Sequence, residues 1–417
     1  MNTGNDRHYD VAIVGAGIVG LAVGLQLLRR HPGIQVAVLD KEKQIASHQT
    51  GHNSGVIHSG LYYKPGSLKA RLCVEGRAAM VDFCSEHGIP HEVCGKIIVA
   101  TGEREIPGLQ ELLRRGRANG VMGLRELEAA EIREIEPHAS GIRGIHVPST
   151  GITDFKAVSS KYAEIIRQCG GEVLTSCGVE RILRESGRIV LETTCGVVRT
   201  RFAVNCAGLQ SDQIAKMAGA SFGLRIVPFR GEYYELVPSR RHLIRGLVYP
   251  VADPRFPFLG VHFTRHVGGG VEAGPNAVFS FKREGYARTS FSLGDTVSTV
   301  FFPGFWKMAA RHWQSGLGEM YRSWSRGAFT RALQKLLPEL TEHDIQPGGS
   351  GVRAQCLDRS GNLLDDFYFV HQDRFLHVCN VPSPAATASL VIGREIVRKL
   401  EEDAGFKRVQ VTAGQGV

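Results

Sequence analysis

DVAIVGAGIVGLAVGLQLLRRHPGIQVAVLD, residues 10–40, decides the fold. DVAIV is short, apolar and β-branched, the pattern of a buried parallel strand. The following residues carry apolar side chains at helical spacing until Pro32 and Gly33 stop them. IQVAVLD is a second buried strand ending on Asp40. Between strand and helix lies GxGxxG. Gly15 permits the tight turn, Gly17 lets the backbone approach a pyrophosphate, and Gly20 lets the helix pack near the sheet. The helix opens at Ile18, where free N–H groups and the helix dipole favour phosphate. Asp40 stands where a carboxylate accepts hydrogen bonds from a ribose diol, with Lys41 and Glu42 beside it. The three features together predict a dinucleotide site; the glycines alone are a weak signal.

The pattern of the remaining chain says which dinucleotide. Residues 68–87, 105–119 and 125–134 read as helices and KIIVAT (96–101) as a strand. A helix is expected over about 155–168, a strand from about 172, then hairpins ending in a buried strand at Ala203–Cys206. From 224 the texture changes to short strands and turns, an antiparallel sheet, with helices over 305–340. The apolar and glycine-rich style returns from about 348 and ends in a helix. VNCAGLQSD brings Ala207 and Gly208 back toward the same ligand. The nucleotide domain is therefore discontinuous, as a chain wrapping an extended FAD requires, whereas a nicotinamide domain is usually contiguous. The expected class is α/β: a Rossmann-like FAD-binding domain (1–95, 150–223 and 346–404), an inserted domain of antiparallel sheet and helices (96–149 and 224–345), and a tail (405–417).

Hydrophobic content of 43% and charged content of 22% suit a globular protein. The net charge of +9 fits an anionic substrate or lipid surface. No nucleic-acid module is visible. The nine cysteines form no CxxC pair, which argues against a disulfide framework or zinc site and for a reducing compartment. No metal is expected. The polar N-terminus and the lack of a long apolar run place the protein in the cytoplasm or on the inner face of the cell membrane.

GHNSGVIHSGLYYKPGSLKARLCVEG (51–76), CGKIIVAT, PFRGEYYEL, LGVHFTR, VEAGPNAV, GSGVRAQ and PSPAATASLVIG complete a pattern. Over about residues 8–402 the chain resembles the L-2-hydroxyglutarate dehydrogenases/oxidases of the D-amino-acid-oxidase-like FAD superfamily. The resemblance implies oxidation of (S)-2-hydroxyglutarate to 2-oxoglutarate, with FAD as hydride acceptor. It also implies that the loop after the second strand runs along the flavin. Ser54 and Gly55 would lie against the ring, with His52 and Asn53 as donors. Gly51, Gly55 and Gly60 would be glycines so that backbone can sit on a flat ring. Val173 would meet adenine through its backbone. Ser383, Pro384, Ala385, Ala386 and Thr387 would open the last helix toward the pyrimidine end of the flavin.

A 2-hydroxy diacid needs both carboxylates paired, a base for its hydroxyl, and its C–H held over the ring. Arg353 is the candidate for one carboxylate, by bidentate hydrogen bonding. His262 and His58 are the candidate bases. Tyr62, Tyr63, Lys64, Arg230 and Tyr234 are candidates for the rest of the substrate; competing readings are interface packing for the tyrosines and a solvated Lys64. Residues 291–329 interleave Phe, Trp and Met with Lys and Arg, which suits an anionic membrane and a quinone acceptor; oxygen is the other acceptor considered. The rival functions are a flavin oxidoreductase of an amino acid or glycerol 3-phosphate, and a non-catalytic FAD sensor or tRNA-binding module.

Overall fold

The computed structural model describes residues 6–252, 259–402 and 406. Arg7–Val14 lies between Gly196–Asn205 and Val36–Leu39, parallel to both. Glu172–Leu174 extends this sheet beyond Val36–Leu39, and Phe375–Asn380 joins the end of Gly196–Asn205, again in parallel. The two-residue period sorts the side chains. Val11, Ile13, Val36 and Val38 face one core, Ala12, Val14, Ala37 and Leu39 the other. Both faces are covered, so the strands are apolar throughout. Helices Ile18–Arg30, Leu68–Glu86, Phe155–Gln168 and Ser389–Glu401 supply the first core. The first and last of these touch so closely that a Cβ on Gly393 would lie 2.8 Å from the Ala22 backbone. Residues from both ends of the chain thus close one domain.

A nine-stranded sheet forms the second domain. Its long pair, Leu224–Leu236 and Ile345–Asp358, runs antiparallel from Leu224↔Asp358 to Leu236↔Ile345. Val271–Gly274, His262–Arg265 and Leu247–Pro250 follow in antiparallel order. Lys96–Ala100 then joins in parallel (Val248↔Ile97), with Arg143–Val147 and Arg125–Glu128 beyond it.

Some expectations change. Residues 345–358 belong to this second sheet, not to the FAD-binding domain, because the whole strand is registered against Leu224–Leu236. Residues 125–128 are a strand; the helix there is short, Ala129–Ile135. The last helix begins at Ser389, and residues 383–388 are a turn before it. Cys177 and Cys195 form a disulfide, with Cα atoms 5.0 Å apart. Their sequence separation hides this. Thr194 N–H donates to Gly178 C=O and Gly178 N–H to Thr194 Oγ1, which brings the two turns together, while Cys177 N–H is anchored on Asp40 C=O. The tail expected at 405–417 lies outside the described residues except for Phe406, which is buried against Phe202 and His31.

Candidate active site

Two of the three signature glycines are required by the protein itself. Gly15 has φ +110°, and a Cβ there would lie 2.5 Å from the Cys206 carbonyl oxygen. A Cβ on Gly20 would lie 2.0 Å from the Gly15 oxygen. Gly17 differs: its added Cβ would meet only Thr50 Oγ1, at 3.4 Å. Nothing in the chain needs glycine there, so a ligand approaching the backbone supplies the reason. No side chain caps the helix at Gly17, although Ile18 N–H donates to Thr50 Oγ1 (3.0 Å). Asp40 is fixed over the turn by Ala16 N–H (2.7 Å) and Glu42 N–H (2.9 Å). The cradle fits a dinucleotide pyrophosphate.

Around it, Val173 is paired with Val38. Gly208 has φ +52°, and Ala207 N–H is held by Asn205. Lys41 Nζ bridges Glu42 (2.6 Å) and Glu284 (2.7 Å). His48 completes a set of ligand atoms within 4.8 Å of one another. The lysine ammonium bonds both carboxylates and offsets one of their two charges.

The loop at 48–58 is fastened by side chains that the sequence reading gave to the cofactor. Asn53 donates to Thr50 C=O (2.6 Å) and Gln49 C=O, and accepts from Gly55 N–H (2.9 Å). His52 bonds the His48 carbonyl (3.0 Å) and stacks on Tyr286 at 4.0 Å. Asn53 is spent within the loop, and His52 ties the loop to Tyr286. Gly55 and Gly60 have positive φ, and added Cβ atoms would strike Thr153 O (2.6 Å) and Val74 (2.8 Å). A Cβ on Gly51 would lie 2.4 Å from Ala46 O. These glycines answer to neighbouring protein atoms rather than to a flat ring. Ser54 is half-buried beside Gly55.

The turn at 383–388 closes on this loop. Thr387 Oγ1 accepts from His58 N–H (3.0 Å) and donates to Val56 C=O (3.2 Å). Ser383 Oγ lies 3.4 Å from His58 Nε2 and also bonds Tyr63. Pro384 C=O accepts from Ala388 N–H; Ala385 N–H donates to Pro382 C=O, and Ser389 N–H donates to Ala386 C=O. The loop and the turn are thus pinned together from opposite ends of the sequence.

Under the second sheet, His58, His262, Lys96, Tyr62, Tyr63, Tyr233, Tyr249 and Arg353 come together. His262 is 7% exposed; its ring lies 3.9 Å from Tyr249, and its Nδ1 is 2.8 Å from the Gly260 carbonyl. A carbonyl can only accept, so Nδ1 carries the proton and Nε2 is left as an acceptor. Burial lowers the His262 pKa to about 3; the Gly260 bond opposes this, and the charges of Arg353 and Lys96 add to it. Burial, with Lys96, His262 and Lys69, brings His58 to about 3 as well. Both histidines are neutral bases at working pH. Burial, with the Tyr249 charge adding, raises Tyr62 well above its ordinary range, and burial raises Tyr249 too. Tyr233 is pushed up to about 12 by burial against the opposing charge of Arg353.

Three candidates for the substrate lie elsewhere. Arg230 is buried in a pair with Glu232 (2.8 Å), which also accepts from Ser323 and Asn276. Removing the arginine would leave a buried carboxylate short of charge, so it serves the sheet. Tyr234 packs on Phe329 in the core at 4.7 Å. Its neighbour Tyr233 faces the site, because successive residues of a strand point to opposite faces. Lys64 is exposed. The missed residues are Tyr233, Tyr249 and Lys96. The one local signal for Lys96 was a lysine opening the otherwise apolar KIIVA.

A two-lobed chain, with a split Rossmann-type domain holding an open pyrophosphate cradle and a second sheet roofing a dry cationic pocket, is that of a flavoprotein oxidoreductase. A model of the family described as FAD dependent oxidoreductase matches residues 10–399. The L-2-hydroxyglutarate dehydrogenase of Indibacter alkaliphilus is 50% identical over 92% of this chain and 97% of that one. The human mitochondrial L-2-hydroxyglutarate dehydrogenase is 46% identical, covering 94% and 89%. The Escherichia coli protein of the same name is 44% identical, covering 94% and 93%. The chain belongs to the L-2-hydroxyglutarate dehydrogenase family of FAD-dependent oxidoreductases. Among solved structures, FAD-bound L-alpha-glycerophosphate oxidase of Mycoplasma pneumoniae shares the fold, with TM-score 0.77, 21% identity and 95% of each chain covered. Glycine oxidase of Geobacillus kaustophilus gives TM-score 0.69 at 19% identity, with 95% of each chain covered.

Proposed function

We propose that the protein oxidises (S)-2-hydroxyglutarate to 2-oxoglutarate, with FAD as cofactor. The carrying observation is the pocket itself: neutral histidines and cationic side chains lie next to the loop that follows the nucleotide unit, while 44–50% identical relatives carry this activity in their names. FAD supplies the hydride acceptor. Gly17 and the open end of Ile18–Arg30 receive the pyrophosphate, and Asp40 receives the ribose. Arg353 takes the carboxylate next to the reacting carbon and orients it. His262, with Nδ1 fixed by Gly260, accepts the hydroxyl proton at Nε2. His58 sits on the flavin side, held by Thr387 and Ser383. Tyr62, Tyr63, Tyr233 and Tyr249 wall the pocket and exclude water.

The test is anaerobic mixing of the yellow holoenzyme with each enantiomer of 2-hydroxyglutarate, (S)-lactate, glycerol 3-phosphate and glycine. Rapid loss of flavin absorbance with the (S)-diacid alone is expected. Bleaching by glycerol 3-phosphate or glycine in its place would move the enzyme to another substrate class, and no bleaching at all would leave a binding protein.

For the electron acceptor we propose a membrane quinone. Beyond a kink at His312, Trp313, Leu317, Met320 and Trp324 recur at spacings of 4, 3 and 4 along Pro303–Trp324; these and Trp306 before the kink are all exposed, Trp324 at 73%. Phe301, just before this helix, is 81% exposed. Lys307, Arg311 and Arg322 stand against one acid, Glu319, on the same helix. An aromatic stripe with basic flanks suits the interface of an anionic bilayer. Among the described residues no helix is long and apolar enough to cross a membrane, so the contact would be peripheral. Co-sedimentation with phosphatidylglycerol vesicles, lost in Trp306→Ser/Trp313→Ser/Trp324→Ser, is the expected result.

A further inference from the structure

Lys96 opens the strand Lys96–Ala100, and its side chain points into the pocket with only 2% of the residue exposed. Its Nζ lies 4.7 Å from the centroid of the Tyr62 ring and 4.8 Å from that of Tyr249. Among the described residues no carboxylate pairs with it. The titratable or charged groups facing it are Tyr62 and His58 from the loop, Lys69 and Cys73 from Leu68–Glu86, Tyr249, His262 and, beyond His262, Arg353. None of these carries negative charge at neutral pH. Lys69 has its own partner, Asp365 at 2.9 Å. Burial lowers the Lys96 pKa to about 7, against an opposing influence from Cys73.

An ammonium placed in such surroundings is costly unless an anion meets it. The faces of Tyr62 and Tyr249 attract the ammonium but bring no counter-charge. A cation kept there without a carboxylate is a site that a ligand completes. The charges of Arg353 and Lys96 both reach His262, so the histidine is near both positive groups. A diacid held at both ends would put its middle carbons beside His262.

We propose that Lys96, held between Tyr62 and Tyr249, binds the distal carboxylate of the substrate and sets the preference for 2-hydroxy diacids over monoacids. This rests on the reading of the protein as a 2-hydroxyglutarate oxidoreductase. It replaces Arg230 and Tyr234, which the fold commits elsewhere, and Lys64, which is exposed.

The consequences separate the two ends of the substrate. In Lys96→Met holoenzyme the KM for (S)-2-hydroxyglutarate rises on the order of 100-fold. kcat/KM for (S)-2-hydroxypentanoate, which lacks the distal carboxylate, changes by less than about threefold. In the wild type, KM for the diacid climbs above about pH 7 as Lys96 loses its proton; Lys96→Arg removes that limb and keeps the diacid preference. Ligand-free Lys96→Met is as heat-stable as wild type or more so, since an unpaired charge has left the interior. Equal losses on both substrates would make Lys96 a group at the reacting carbon and overturn the proposal. So would a KM that does not move, or a fall in Tm as the principal effect. Titrating the oxidised holoenzyme with glutarate and pentanoate, read from the flavin spectrum, needs no turnover. If wild type favours glutarate and Lys96→Met does not, the site stands even should 2-hydroxyglutarate prove not to be oxidised. Equal affinities in wild type would remove it.

Discussion

The pyrophosphate cradle and the substrate pocket solve recognition in opposite ways. The cradle is contiguous: Val14 to Gly20 and Asp40 lie in one βαβ unit, and its specificity is the absence of side chains. The pocket is assembled from far-separated segments carrying His58, Lys96, Tyr249, His262 and Arg353, and its specificity is side-chain charge in dry surroundings. A phosphate is bound by backbone N–H groups that any sequence owns, so glycine spacing is enough to announce it. A dicarboxylate needs cations placed at a distance, which only packing can arrange.

Glycine substitutions test the first half of that contrast most severely. Gly20→Ala forces a Cβ to 2.0 Å from the Gly15 oxygen, and the expected outcome is loss of soluble folded protein. Gly17→Ala has room within the chain. It is expected to fold, with a far-ultraviolet spectrum like wild type, yet purify without yellow colour; a normal flavin content would end the argument that the ligand is what demands Gly17.

Arg353→Ala probes the second half. FAD stays bound, while kcat/KM for (S)-2-hydroxyglutarate falls by roughly 100-fold to 4,000-fold, since a buried charge partner of a carboxylate is worth about 3–5 kcal/mol. Unchanged kinetics would take Arg353 out of the pocket.

Acid should loosen the pocket before the cradle. The His58 and His262 pKa values are lowered to about 3 by burial, below the unfolded value of about 6.5. The unfolded chain therefore binds more protons between those limits. Stability present above about pH 6.5 is lost as pH falls toward 3, at about 1.4 kcal/mol per pH unit for each histidine. Thermal melts of His262→Gln should show a shallower acid slope than wild type; equal slopes would mean that the histidine is already charged when folded.

The smallest effect sharpens the contrast at neighbouring residues. Tyr234→Phe, in the core beside Phe329, should leave kinetics within about twofold and stability within about 1 kcal/mol. Tyr233→Phe, on the Arg353 side of the strand, should raise KM several-fold by steady-state assay.

The nucleotide unit, the split domain and the antiparallel insertion were all legible in the chain, because strand alternation and helical spacing are local and repeat within a few residues. Arg353, His58 and His262 could be singled out by residue type and segment, and the structure brings them near one another. Arg230 was not readable as structural: Glu232 stands two residues along the same strand, but the Ser323 and Asn276 bonds that fix that carboxylate come from segments far off in the chain. The Cys177–Cys195 pairing was equally hidden, because two turns meet only after the sheet has formed.

The sequence by itself determined the bare turn at Gly15–Gly20 that a dinucleotide could use, since a turn without side chains is a property of contiguous backbone. Only the tertiary structure decided which cations are free for a substrate and which are consumed by the fold. The energy of a charge depends on how much water it has lost and what lies within a few ångströms, and for Lys96 those neighbours come from Tyr62 and Tyr249, far apart in the chain and adjacent only once the sheet is built.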